Sequence, residues 1–363
     1  MAETASPHFV GLPVTLAFVN DIIQTKCPET AITGFQEIPT GWNNKAIVVH
    51  TAEGRSLILR LSNAKTWPAA KIESEVAVLR FVATATTVPC PRLVAYGLAT
   101  DSGAASDVHW MLMQRIDGVM LEAVWRNLHK DQKLALLVEL EEITRALHSI
   151  TFNAIGGLHF DAHGNPTVSH FWSGNGLDAN EVDYTTRVAE KCAHDLRDLN
   201  PPTKFVESMQ KLRDRVESNI PLFKNVLESL PPCPITLVHG DLAFRNMMVR
   251  NREDGSYTLS GLLDWEWACA DVAFKDWLDT LLEETCNEDK NENAWIREQM
   301  VRSGGACYEN IEGFKTRCVV YRAAIDSLEL WRYESADEDG WERNLKYANE
   351  SIDAFAALQY FNT

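Results

Sequence analysis

The sequence predicts an α+β protein of two lobes, a small β-rich N-terminal lobe and a larger, mainly helical C-terminal lobe. Three observations carry this. The chain has 363 residues, enough for two lobes or two small domains and a sizeable core. From Ala31 to Met113, short runs of β-branched and aliphatic residues dominate, with one helical stretch among them. Beyond residue 118, long segments follow a 3.6-residue apolar period, interrupted by a strand-loop-strand stretch at 236–267. The expected divisions are 1–113 for the first lobe, 114–118 for a hinge and 119–363 for the second lobe.

Composition narrows the partners. Hydrophobic residues make up 45% and charged residues 23%, an ordinary globular balance. Acidic residues number 51 against 34 basic ones, a net charge of −17, which argues against nucleic acid and anionic membrane surfaces. The eight cysteines are scattered without a CxxC pair, so reduced thiols are expected rather than a disulfide framework or a metal cluster. No run of 18 apolar residues exists, and no Lys or Arg precedes the mildly apolar Phe9–Val19. The expectation is a cytoplasmic protein with no membrane partner.

In chain order, residues 12–25 suit a short amphipathic helix, and Ala46–His50 and Leu57–Leu61 read as strands turned at Glu53-Gly54. Residues 69–83 form a helix with an apolar stripe through Ile72, Val76, Leu79 and Ala83. Glu75 lies on the margin of that stripe, where a carboxylate needs a partner, and Arg60 at the end of the second strand is the natural one. Val88-Pro89-Cys90-Pro91 ends the helix, Leu93–Tyr96 and Trp110–Met113 read as strands, and Gln114–Gly118 is the hinge.

In the second lobe, residues 131–150 form a helix with Leu136, Leu140, Ile143 and Leu147 on one face and Asp131 able to cap it. Residues 161–200 are polar and carry little signal. Residues 203–230 read as helix broken near Pro221, and Phe314–Tyr333 as one long helix. His148, alone at a helix end, reads as a packing residue.

The chemistry concentrates at 236–267. Thr236–Val238 leads into the loop His239–Asn246, Met247–Val249 leaves it, and Leu259–Leu263 returns across the Asp254-Gly255 turn to end on Asp264. Asp241, Asn246 and Asp264 thus fall at ends of short strands that a hairpin can gather. Singly, each is an ordinary turn former or cap. Together they match what phosphoryl transfer from a nucleotide requires: Asp241 to orient and deprotonate an acceptor hydroxyl, with Asn246 and Asp264 to hold Mg²⁺.

HGDLAFRN followed by LLDWEW resembles the catalytic and metal-binding loops of the aminoglycoside phosphotransferase and choline kinase-like enzymes, small-molecule relatives of protein kinases. The resemblance implies a bilobal protein-kinase-like fold, ATP with Mg²⁺ as cofactors, and γ-phosphate transfer to a hydroxyl of a small molecule. It places a nucleotide-covering loop at Gly41 and Asn43, although the several glycines of a protein-kinase loop are absent. It puts a phosphate-binding base at Arg60, where the family has lysine, with Glu75 as its helix partner. It has the hinge backbone at Gln114 and Ile116 pair with the adenine edge, and Met248 form the adenine floor. His239 becomes a residue that shapes the loop, and Arg245 one that orients Asp241 or touches the phosphate. Glu266, in place of the glycine of D-F-G, either reaches the metal through water or braces the loop. Ala270-Asp271-Val272 stands where the family often has Gly-Pro. The terminal region of the family lines the acceptor site. Here Asp279, Glu283, Glu284, Asp326 and Glu329 beside Trp277 and Trp331 suggest a cationic amino alcohol. Two rivals remain at this stage. One is a nucleotide-binding pseudokinase or interaction protein, supported by Arg60 and the glycine-poor loop. The other is a protein kinase, which D-W-E and the lack of an A-P-E segment disfavour.

Overall fold

The structure, a computed structural model, describes residues 14–38, 43–101, 107–174, 176–278, 295–296, 298–299, 311–328, 333 and 336–361. The first lobe begins with helix α1 (Leu16–Gln24), whose Thr15 side chain caps it by accepting from Phe18 N at 3.2 Å. Strands β1 (Ile32–Ile38), β2 (Lys45–Thr51), β3 (Ser56–Asn63), β4 (Leu93–Gly97) and β5 (Val108–Gln114) form one antiparallel sheet in the order β1-β2-β3-β5-β4. Helix α2 (Ala69–Ala85) crosses between β3 and β4 in sequence.

The two-residue period of β3 divides its side chains. Leu57, Leu59 and Leu61 join Ile47, Val49, Trp110 and Leu112 in a core covered by Val19, Ile22 and Ile23 of α1. The alternate face delivers Arg60 toward α2. There Ile72 and Val76 pack on Met111, while Ala77, Val78, Leu79 and Val82 are continuous with the core of the second lobe. Helix α2 is therefore the shared wall of the two lobes.

After the hinge come β6 (Val119–Met120), α3 (Leu121–Trp125), α4 (Lys130–His148), the hairpin β7 (Gly157–Phe160) and β8 (Pro166–Ser169), then α5 (Glu181–Asp198) and α6 (Val206–Glu228). Strands β9 (Ile235–Val238), β10 (Met247–Asn251), β11 (Tyr257–Leu262) and β12 (Cys269–Val272) surround the site, followed by α7 (Lys275–Leu278), α8 (Phe314–Ala324) and α9 (Glu338–Phe361). No described helix is long and apolar enough to cross a membrane, and the six described cysteines are free thiols.

Several sequence expectations change. Helix α6 runs through Pro221 without a break, because Val216 and Phe223 on either side of it are fully buried and packing offsets the lost hydrogen bond. Helix α4 is capped by His129, whose backbone N–H is satisfied by Gln132 Oε1 at 3.1 Å, and Asp131 lies within its first turn. The helix expected over Phe314–Tyr333 stops at Ala324, and a 3-10 turn at Asp326–Leu328 follows. Strand β9 does not pair with β10; it pairs with β12, a strand formed by the segment that lacks Gly-Pro. The polar stretch 161–200 supplies β8 and α5, with Glu181 of α5 buried against Arg317 of α8.

Candidate active site

The loop after β9 is anchored by its apolar residues. Leu242, Ala243 and Phe244 are buried, and the Phe244 ring lies 4.4 Å from that of Trp125 in α3. This leaves Asp241 and Arg245 on the open side. Arg245 Nη2 donates to Asp241 Oδ1 at 2.6 Å, and Asn246 Nδ2 donates to Asp241 Oδ2 at 2.7 Å and to its carbonyl at 2.9 Å. The carboxylate is thereby fixed in rotation. Because Asn246 spends its amide N–H groups on Asp241, its Oδ1 is the atom available to a cation.

Strands β10 and β11 bring the second acid to this point. Met247 opposes Leu262, and Leu263 N donates to Asn246 O at 2.8 Å, so Asp264 follows directly beside Asn246. Asp264 has φ 61° and ψ 65°, the single positive-φ residue other than glycine among the described residues. Left-handed backbone costs a side-chain-bearing residue on the order of 1–2 kcal/mol, and it turns this carboxylate out of the strand toward Arg60.

A set of buried charges surrounds Arg60. Its guanidinium pairs with Glu75 of α2, lies 3.3 Å from Asp264 Oδ1 and 4.0 Å from Glu266 Oε2. Glu266 accepts from Asn43 Nδ2 at 2.6 Å on Oε1, and from Asn44 Nδ2 and Lys71 Nζ, each at 2.8 Å, on Oε2. Burial raises the Glu75 carboxyl above the ordinary range despite Arg60. The Asp264 carboxyl is pushed up to about 7, by burial first and then by Glu266, against the pull of Arg60. Glu266 is held below its usual value because Arg60 and Lys71 outweigh its burial. The cluster holds one more carboxylate than it has cations, and Asp264 is the member with the weakest pairing.

That imbalance suits a hard divalent cation. Among the described residues no group of three or more His, Cys, Asp or Glu could hold a metal ion. Mg²⁺ at phosphoryl-transfer sites takes only one or two protein oxygens and completes its shell with phosphate and water, which the Asn246–Asp264 pair can supply.

The loop is braced from behind. Asp276 of α7 is 1% exposed and accepts from His239 N at 3.1 Å and Gly240 N at 2.8 Å, with His148 Nε2 3.0 Å from it. His148 thus does more than pack. His239 Nε2 faces Leu263 O at 2.9 Å, and a carbonyl only accepts, so Nε2 carries the proton and Nδ1 receives Asp241 N–H at 3.3 Å. Burial also lowers its basicity. This neutral ring ties the loop to the strand that ends at Asp264. Gly240 has φ 80°, and a Cβ there would meet Trp267 O at 2.4 Å, so only glycine fits.

The remaining expected residues separate. Glu75 does pair with Arg60. Met248 lies in β10 between Met120 and Gly261, next to the hinge, where Ile116 packs over Gly261. Gln114 N–H donates to Arg92 O at 2.9 Å, so Gln114 has no backbone donor to spare for a nucleotide. Asn43 turns its side chain to Glu266 rather than outward, and Gly41 lies outside the described residues. Sequence reasoning missed Lys71, Trp67 and Trp172, and the contact of Asn44 with Glu266.

A sequence profile of the phosphotransferase enzyme family matches residues 34–294, most of the chain and all of the site. The chain belongs to the phosphotransferase enzyme family. Curated relatives within reach are remote. A subtelomeric hrmA-associated cluster protein of Aspergillus fumigatus is 26% identical over 38% of this chain and 26% of its own length. The altered inheritance of mitochondria protein 9 of Komagataella phaffii is 28% identical over 36% and 22%. The matches therefore span about a quarter of those proteins. Among solved structures, the gentamicin complex of aminoglycoside phosphotransferase APH(2″)-IIa aligns with TM-score 0.61 at 15% identity, over 95% of this chain and 99% of that one. A Plasmodium vivax ethanolamine kinase aligns with TM-score 0.52 at 16% identity, over 90% and 83%. These likenesses establish the family's kinase-like fold.

The bracing of Asp276 gives a pH signature. Burial alone would raise its carboxyl, but the hydrogen bond and charge of His148, with Gly240 N–H, hold it below the ordinary value. A depressed carboxylate adds stability above its unfolded value of about 3.9, and that stability is lost as pH falls through the folded value. Thermal melts from pH 7 down to pH 3 should therefore show a shallower acid limb in Asp276→Asn than in the parent, at lower absolute stability. Parallel limbs would mean that this carboxylate does not carry the acid sensitivity.

Proposed function

We propose that the chain transfers the γ-phosphoryl group of ATP to a hydroxyl of a small molecule. The observation that carries this reading is the Asp241 carboxylate, clamped by Arg245 and Asn246 beside Asp264 and a buried guanidinium. Asp241 orients the acceptor hydroxyl and takes its proton as the oxygen attacks phosphorus. Arg245 sets the carboxylate's orientation and adds positive charge next to the transferring group. Asn246 Oδ1 and Asp264 would hold Mg²⁺, which would supply positive charge against the phosphate oxygens. Arg60 binds the α- and β-phosphates, aimed by Glu75. A guanidinium stays charged and forks onto phosphate oxygens, so the change from lysine keeps the role while altering its geometry. At the hinge, Ile116 N–H is the adenine donor, Gln114 contributes only its carbonyl side, and Met248 floors the ring. The backbone at Asn43 lies on the nucleotide-covering side of this reading, and the expected Gly41 lies outside the described residues. The lobes divide at 113 and 119. The reduced cysteines favour a cytoplasmic setting, which cell fractionation would check.

Two substitutions separate base from metal. Asp241→Asn should slow ATP consumption with an acceptor by roughly 10²- to 10⁴-fold while keeping Mg·ATP affinity. Asp264→Asn tolerates the left-handed backbone better than alanine and should erase the gain in ATP affinity that Mg²⁺ gives in calorimetry. Turnover of Asp241→Asn within a few-fold of the parent would remove Asp241 from the reaction. Mg·ATP binding with no turnover by the parent on any acceptor would favour a pseudokinase.

Within this reading the acceptor carries a protonated amine. The net charge of −17 supports it, as do the aminoglycosides named in the complexes of structural neighbours. Of the acidic residues expected to line the acceptor site, Asp326 accepts from Tyr347 Oη at 2.5 Å; Asp279, Glu283, Glu284, Glu329 and Trp331 lie outside the described residues, as does the Trp277 side chain. Amino alcohols and matched neutral alcohols compared at low and high salt provide the test. Preferential, salt-sensitive use of the amines is expected. Equal turnover without salt dependence would discard the cationic acceptor.

A further inference from the structure

Lys71 is 2% exposed, an unusual setting for an ammonium. Its Nζ lies over three indole rings, 3.8 Å from the Trp67 centroid, 4.7 Å from Trp267 and 5.6 Å from Trp172. The rings are set edge to face or tilted, with centroids 5.8–6.5 Å apart. They come from three separate places: the turn before α2, the segment between β8 and α5, and the turn after Asp264. Trp67 is fixed in turn, with its Nε1 donating to Asn43 O at 3.3 Å. The described ion-pair partner of Lys71 is Glu266, through Oε2.

That same oxygen is the one that faces Arg60, at 4.0 Å. Asn44 also donates to it, and Asn44 is locked in orientation because Ser62 Oγ donates to its Oδ1 at 2.6 Å. The two amides are neutral donors. Among the described residues, Lys71 supplies the only full charge that Glu266 receives through a hydrogen bond. Lys71 and Glu75 stand one turn apart on α2, where an intrahelical pair would be ordinary. Instead each reaches across to another element, Glu75 to Arg60 and Lys71 to Glu266.

We propose that Lys71 is a positioning residue for nucleotide binding: held in its tryptophan cage, it neutralises Glu266 and so keeps that carboxylate from capturing Arg60. The proposal rests on the reading of Arg60 as the phosphate-binding cation. Without Lys71, three carboxylates converge on one guanidinium. Glu266, 1% exposed at its side chain, then has no charged partner except Arg60 among the described residues. Buried, and held otherwise by two neutral amides, it draws Arg60 toward itself and away from the phosphates. The cage serves this purpose because it fixes the ammonium by cation–π attraction without offering a competing anion.

Calorimetry with ATP and Mg²⁺ on the full chain tests it, using Lys71→Met, Lys71→Arg, Glu266→Gln, the double variant Lys71→Met/Glu266→Gln, and Arg60→Met. Methionine keeps the length and apolar packing of the lysine stem. Lys71→Met should weaken Mg·ATP binding by roughly ten- to a hundred-fold, the worth of one charge-assisted contact. Lys71→Arg should stay near the parent. The double variant should recover most of the lost affinity, since no carboxylate remains to seize Arg60. A structural role alone does not give that recovery. Parent-like affinity in Lys71→Met, or a double variant that folds and stays as weak as the single one, would overturn the proposal. Should Lys71→Met fail to fold, the double variant decides alone, with parent-like affinity supporting the proposal and weak affinity overturning it. Arg60→Met with undiminished affinity would instead remove the phosphate-binding reading itself, and the proposal with it.

Discussion

The architecture around the site depends on how a few buried charges are shared. Glu75, Asp264 and Glu266 converge on Arg60 and Lys71. Burying a charge is tolerable only when it is paired and hydrogen-bonded, and breaking one partnership leaves the other member stranded. Each pairing here also joins two parts of the fold. Arg60–Glu75 ties β3 to α2, Lys71–Glu266 ties α2 to the turn after β11, and Asn43 and Asn44 tie the nucleotide-side turn of the first lobe to that same glutamate. The lobes are coupled by electrostatics at the place proposed for a nucleotide phosphate and its metal.

The second constraint is mechanical. A catalytic loop needs a fixed carboxylate on an otherwise irregular backbone, and irregular backbone must satisfy its polar groups somewhere. Asp276 meets the first two N–H groups, His239 bridges from the loop to Leu263, and Asn246 closes on Asp241. Leu242 and Phe244 give the loop an apolar keel. The cost appears at two backbone positions, Gly240 and Asp264, both left-handed. At Gly240 the residue type removes the strain. At Asp264 the residue carries the carboxylate that faces Arg60, so the strain stays.

Local sequence carried much of this. The margin position of Glu75 on an amphipathic helix told that it needs a basic partner, and Arg60 at the end of its strand was the natural one. The turn at Asp254-Gly255 told that Asp264 returns to Asn246. These are short-range signals, a helical period of 3.6 residues and a local turn, which survive in any tertiary setting. Expectations failed where burial overrode local preference. Pro221 stays inside a helix because Val216 and Phe223 hold it, and Ala270–Val272 becomes a strand because β9 offers an edge.

By itself, then, the sequence determined the α+β division, the loop His239–Asn246 with its approach to Asp264, and the Arg60–Glu75 pair, because each rests on neighbours in the chain or on a strongly patterned face. Only the tertiary structure decided what Glu266 does, where Asn43 points, and why Lys71 is buried. Trp67, Trp172 and Trp267 are each unremarkable in sequence, and Asn43 and Glu266 lie more than two hundred residues apart. Their association depends on how α2 is packed between two lobes, and a contact of that range leaves no periodic trace in the chain.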